Sequence, residues 1–123
     1  MNNLSKILVS ISLLMTFGCS KEENIADNIS NQNPEITTSG MDFVPKTLSC
    51  NVGDTIEFKL GPSHNAVEVS EDMYNLPNGT TPLEGGFNIG YGESTYIIVT
   101  EAKTHYYVCQ PHVPGMKGII IVE

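Results

Sequence analysis

Cys109, His112 and Met116 lie in the eight-residue stretch CQPHVPGM, which gathers a thiol, an imidazole and a thioether into one short segment. Sulfur ligands beside an imidazole suit copper or zinc rather than magnesium or calcium. A second imidazole, His64 in GPSHNAVEV, precedes Cys109 by 45 residues. Two imidazoles, a thiolate and a weak thioether form the donor set of a trigonal copper site with a long axial methionine. Such a set holds Cu(II) and Cu(I) in nearly one geometry, so little rearranges when one electron arrives. Pro111 and Pro114 fix two φ angles and remove two backbone donors, which stiffens the loop and limits hydrogen bonding to the sulfur.

Donors so far apart in the chain converge only if a fold brings two loops to one end. Short apolar stretches broken by turn residues supply that fold. Leu48, Cys50 and Val52 alternate with polar neighbours, NVGD (51–54) makes a turn, and TIEFKL alternates Ile56, Phe58 and Leu60. AVEV, STYIIVT, HYYVC and GIIIV follow, joined by Gly, Pro and Asn turns. The pattern predicts an all-β antiparallel sandwich, whose loops cluster at its ends. Residues 71–92 read as loop with one helical turn at Glu71 to Tyr74, and the sequon Asn78-Gly79-Thr80 as a turn.

The chain of 123 residues, 40% hydrophobic, suits one compact domain. Residues 1–18 carry Lys6, an apolar run from Ile7 to Phe17, and Gly18 directly before Cys19. That run is short for a bilayer span and reads as an export signal. Cys19 after a small residue resembles the lipobox of bacterial lipoproteins, so residue 19 is the expected lipidation site. Lys21, Glu22 and Glu23 resemble the acidic export tags of surface lipoproteins. Residues 19–39 are rich in Asn, Ser and Glu and read as a flexible tether, with the folded domain expected over 40–123. Fourteen carboxylates against six lysines, with no arginine, give a formal charge of −8, which excludes nucleic acid as a partner and any bidentate guanidinium clamp. Cys50 and Cys109 would pair by default in an oxidising compartment, but the alternation with Leu48 turns Cys50 toward the core as a buried free thiol.

FVPKTLSCNVGDTIEF, GPSHNAVEV and GESTYIIVTEAKTHYYVCQPHVPGMKGIIIVE carry, in order, an F-x-P opening, a Gly-Asp turn, a His-Asn pair, Y-x-x-C-x-P-H, then Gly-Met and Gly before a last strand. Over residues 41–123 this resembles the plastocyanin-like cupredoxins. The resemblance implies a Greek-key β-sandwich of about eight strands and one type 1 copper held by His64, Cys109, His112 and Met116. It also implies that Asn65 ties the His64 loop to the Cys109 loop. Two positions depart from the pattern. The His112 to Met116 spacing falls between those of plastocyanins and amicyanins, and Val108 stands where plant plastocyanins expose a tyrosine, so no second docking route through that residue is expected. His105 has no thiol or carboxylate at ligand spacing and is expected to be a surface or interstrand histidine.

The expectation is therefore a monomeric, non-enzymatic electron carrier, lipid-anchored outside the cytoplasm. It would exchange electrons with redox proteins such as a cytochrome or an oxidase through an apolar patch of Pro62, Pro111, Val113 and Pro114 around His112. A copper chaperone or store would use the same ligands, but Met-rich or His-rich tracts are missing from the tether. A zinc- or disulfide-stabilised adhesion domain would need only the sandwich.

Overall fold

The computed structural model describes residues 32–123. The expected export signal, the expected lipidation site Cys19 and the expected tether as far as residue 31 lie outside the described residues. Among the described residues, nine strands form two sheets: β1 (Glu35–Ser39), β2 (Asp42–Val44), β3 (Thr47–Cys50), β4 (Thr55–Lys59), β5 (Ala66–Val69), β6 (Asn88–Ile89), β7 (Ser94–Ile98), β8 (Thr104–Val108) and β9 (Lys117–Val122). A short helix, α1 (Glu71–Asn75), follows β5, where the sequence places a helical turn. The sheets run in the order β2-β1-β4-β7 and β3-β9-β8-β5-β6. Most successive strands cross between the sheets, the sandwich expected from the alternating sequence.

The sandwich is not wholly antiparallel as expected, because β1 pairs with β4 and β3 with β9 in parallel. Two further sequence expectations change. Residues 35–39, assigned to the tether, form β1 in the interior of the first sheet. Ile36 pairs with Phe58 of β4 in parallel and is fully buried, so the domain begins at about residue 32. β1 also turns back antiparallel onto β2 through Gly40-Met41, but its polar threonines and serine hide the strand, and its parallel partner β4 lies some twenty residues away. Val52 is the other change. The strand ends at Cys50, the Asn51 amide donates to Asp54 Oδ2 at 2.9 Å, and the turn leaves Val52 48% exposed.

Tyr107 centres the core, with Phe43, Phe58 and Phe87 packed against its ring at centroid distances of 4.7, 5.9 and 5.7 Å. Its ring lies over Gly118, where a Cβ would sit 2.2 Å from Tyr107 Cζ, so only glycine fits. The phenol is fully buried with no hydrogen-bond partner, and burial pushes its pKa well above the ordinary value. Ile36, Ile56, Ile120 and Val122 complete the two inner faces.

One ionised group is enclosed between the sheets. Glu68 of β5 is 3% exposed, binds His105 Nδ1 of β8 at 2.7 Å and accepts the Phe87 amide at 3.0 Å. Burial by itself would raise the Glu68 pKa. The His105 and Phe87 bonds and the charges of His105 and Lys103 outweigh that and hold it below the ordinary 4.5. His105 is thus an interstrand histidine.

Ile36→Ala should lose about 3 kcal/mol in urea unfolding, the usual scale for a buried isoleucine; a loss near zero would return β1 to the tether. Because the folded pKa of Glu68 is depressed, its carboxylate stabilises fully above the unfolded value. That contribution fades as pH falls below about 4.5. Glu68→Gln should therefore be less stable at neutral pH and flatter in its acid unfolding profile; an unchanged acid limb would show that Glu68 does not carry the dependence.

Candidate metal centre

Three neighbouring strands of the second sheet build the site. β5 runs antiparallel to β8, and β8 to β9, so the start of β5, the end of β8 and the start of β9 meet at one end of the sandwich. His64 lies just before β5, Cys109 just after β8, and Met116 just before β9. The β8–β9 ladder continues one step past the strands, with the Cys109 amide donating to the Met116 carbonyl at 3.0 Å. Inside the loop so closed, Gln110–His112 makes one 3-10 turn with Pro111 in it, the His112 amide donates to the Cys109 carbonyl, and the Met116 amide to the His112 carbonyl.

The side chains converge. His64 Nδ1 lies 3.1 Å from His112 Nδ1, and Cys109 Sγ lies 3.7 Å from the first and 3.3 Å from the second. A point equidistant from the three atoms is about 2 Å from each, the length of a metal–imidazole bond. The donor set therefore fits a metal ion without movement of the backbone. Met116 is fully buried and belongs to the same apolar cluster as Cys109. Cys109 is fully buried, and burial raises its thiol pKa, while backbone N–H groups of Asn65 and His112 directed at the sulfur lower it. The net shift is upward, so the metal-free thiol keeps its proton, and a cation between the three donors would displace it.

Asn65 joins the two ligand segments. Its Oδ1 accepts the Gln110 amide at 2.9 Å and its Nδ2 donates to Gln110 Oε1 at 3.0 Å. Gln110 in turn donates to the Thr80 carbonyl at 2.9 Å. Gln110 was not among the residues singled out in the sequence. Its bonds reach 45 and 30 residues back, and a glutamine after a cysteine carries no local signal of them. Pro62, Pro111 and Pro114 are exposed around the half-buried His112 and Val113. Tyr91, 56% exposed, joins this end, because the adjacent Gly92 amide donates to the His64 carbonyl at 3.1 Å.

Cys50 and His105 stay away from the triangle. Cys50 pairs with Val122, whereas Cys109 lies opposite Met116 one step past the Val108–Lys117 pair, which separates the two cysteines by six strand positions, about 20 Å. Both are free thiols, and burial first, then Asp54, raises the Cys50 pKa.

A family model described as copper binding proteins, plastocyanin/azurin family, matches residues 31–123. The chloroplastic plastocyanin of Chlamydomonas reinhardtii is 32% identical over 89 residues, covering 70% of this chain and 61% of that protein, so the chain spans less than two thirds of that relative. Plastocyanin A/B of Petroselinum crispum is 30% identical over 87 residues, covering 68% of this chain and 90% of that protein. Among solved structures, an amicyanin variant in its reduced Cu(I) form at pH 4 superposes with a TM-score of 0.56 at 22% identity, over 80% of this chain and 89% of that one. An oxidised amicyanin variant gives 0.57 at 23% over the same shares. These structural likenesses establish the fold, and the family match covers the whole described domain. The chain belongs to the plastocyanin/azurin family of copper-binding proteins.

Proposed function

We propose that the protein carries single electrons between redox proteins outside the cytoplasm, through one copper held by His64, Cys109, His112 and Met116. The observation that carries this reading is the triangle of two imidazole nitrogens and one buried sulfur, each within 3.7 Å of the next. Copper bound there supplies a Cu(I)/Cu(II) couple.

The chain's own residues do the rest. Cys109 gives up its proton and offers a thiolate, and His64 and His112 offer Nδ1. Met116 adds a neutral, weak thioether that favours the lower charge state. The three backbone bonds within the loop and its two prolines hold these donors in place in both states. His112 is the ligand nearest solvent, and the rim of Pro62, Pro111, Val113 and Pro114 excludes water from the contact with a partner. The acidic surface would steer basic partners toward that rim. Cys19 would carry the lipid that keeps the domain at a membrane, and no catalysis is proposed.

Addition of Cu(II) tests the reading. A strong visible thiolate-to-Cu(II) absorption should appear in the wild type and in Cys50→Ser and be missing in Cys109→Ser; equal colour in Cys109→Ser would remove the site assignment. Rapid loss of the metal to a mild chelator would point to copper handling instead. Met116→Gln should lower the reduction potential while copper stays bound, because an amide oxygen is harder than a thioether and favours Cu(II). Each 1.4 kcal/mol of that preference is about 59 mV for a one-electron couple. A Gln variant of unchanged potential and spectrum would exclude Met116 from the copper.

A further inference from the structure

Helix α1 has no buried residue and only five positions, too few to persist by its own hydrogen bonds. Ser70 caps its first turn, with Oγ accepting the Met73 amide at 3.1 Å, but the last turn has no basic residue of its own. That role falls to Lys117, the residue after Met116. Its ammonium donates to the Tyr74 and Leu76 carbonyls, at 2.5 and 3.0 Å, where the helix leaves carbonyls unsatisfied. It also stands 5.0 Å over the Tyr74 ring, which packs on Tyr106 of β8 at 5.1 Å. Gln110, the residue after Cys109, holds the Thr80 carbonyl a few residues further on. Between these anchors Gly79 lies so close to Met73 that a Cβ would sit 2.0 Å from its carbonyl oxygen, so the segment folds tightly back on the helix.

The two residues that follow the two sulfur-bearing side chains therefore grip the same segment, 74–80, through its backbone carbonyls. The geometry points to α1 and this segment as a brace that fixes both ends of the ligand loop, with Gln110 and Lys117 as positioning residues for electron transfer. The contact works in both directions: the loop side chains hold the helix, and the helix holds the loop. Gln110 is the tighter link, because the same side chain engages Asn65, whose backbone N–H points at the Cys109 sulfur. Losing the Gln110 amide frees Thr80 and slackens that N–H at once. Donor atoms that drift between the two charge states must be reorganised at each transfer, which slows exchange without any change in the ligands themselves.

The brace rests on the copper reading above, and one set of measurements separates the two. Holoprotein is prepared as wild type, Gln110→Ala, Lys117→Met and Lys117→Arg. Electron self-exchange is read from NMR line broadening in mixtures of the two oxidation states, alongside the visible spectrum. Gln110→Ala and Lys117→Met should each slow self-exchange roughly tenfold, on the scale of lost outer-shell partners, and alter the thiolate-to-Cu(II) bands. Lys117→Arg keeps the donors and should restore both. Gln110→Ala changes no charge, so slowing there is not electrostatic; if it fails to fold, the uncharged Gln110→Met replaces it with the same expectation. Val122→Ala, at the far end of the sandwich, should lower Tm and leave both readings alone. Brace variants that behave like Val122→Ala, less stable but unchanged in spectrum and exchange, overturn the proposal. A wild type without the thiolate band removes the copper reading and the brace together, whereas a coloured wild type with indifferent brace variants removes the brace alone.

Discussion

The hydrogen bond from the Cys109 amide to the Met116 carbonyl is the constraint on which the metal centre depends. It prolongs the β8–β9 ladder by one step and so fixes the chord that the loop between the two sulfur residues must span. Within that chord the 3-10 turn at Gln110–His112 delivers the His112 ring beside the Cys109 sulfur. The β5–β8 pairing brings the start of β5 alongside, and His64, two residues before that strand, reaches the Cys109 sulfur. The centre is an end-of-ladder structure, so its rigidity derives from the sheet.

The sheet in turn tolerates polar groups that a purely apolar core would not contain. Glu68 and His105 join β5 to β8 four residues below the ligands, and each leaves the other uncompensated if it is removed. The unpartnered Tyr107 hydroxyl works the other way, since a buried donor without an acceptor is unfavourable by about 1–3 kcal/mol. The aromatic ring offsets this by packing against three phenylalanines and filling the space that Gly118 leaves.

Charge is distributed with the same economy. Among the described residues every lysine is engaged: Lys46 with Asp42, Lys59 with Glu35, Lys103 with Glu68, and Lys117 with helix carbonyls. The exposed pairs add little stability, but they leave the remaining carboxylates as the field a partner meets.

By itself the sequence determined the chemistry. Cys109, His112 and Met116 declare themselves because a ligand loop is local, and local spacing survives in one dimension. His64 with Asn65, the alternation of TIEFK and AVEV, and the helical turn after Ser70 were legible for the same reason. What only the tertiary structure decided involves partners distant in the chain. β1 lay hidden because EITTS is mostly polar, and its burial comes from packing in parallel beside β4, far away in the chain. Glu68 and His105, 37 residues apart, each look like surface residues until the sheets close over them. Gln110 and Lys117 read as ordinary polar neighbours of the ligands, and their grip on residues 74–80 follows from where α1 comes to rest against β8. Side-chain hydrogen bonds across 30 to 45 residues depend on the direction of each side chain in the folded state, a quantity that residue type and spacing do not encode.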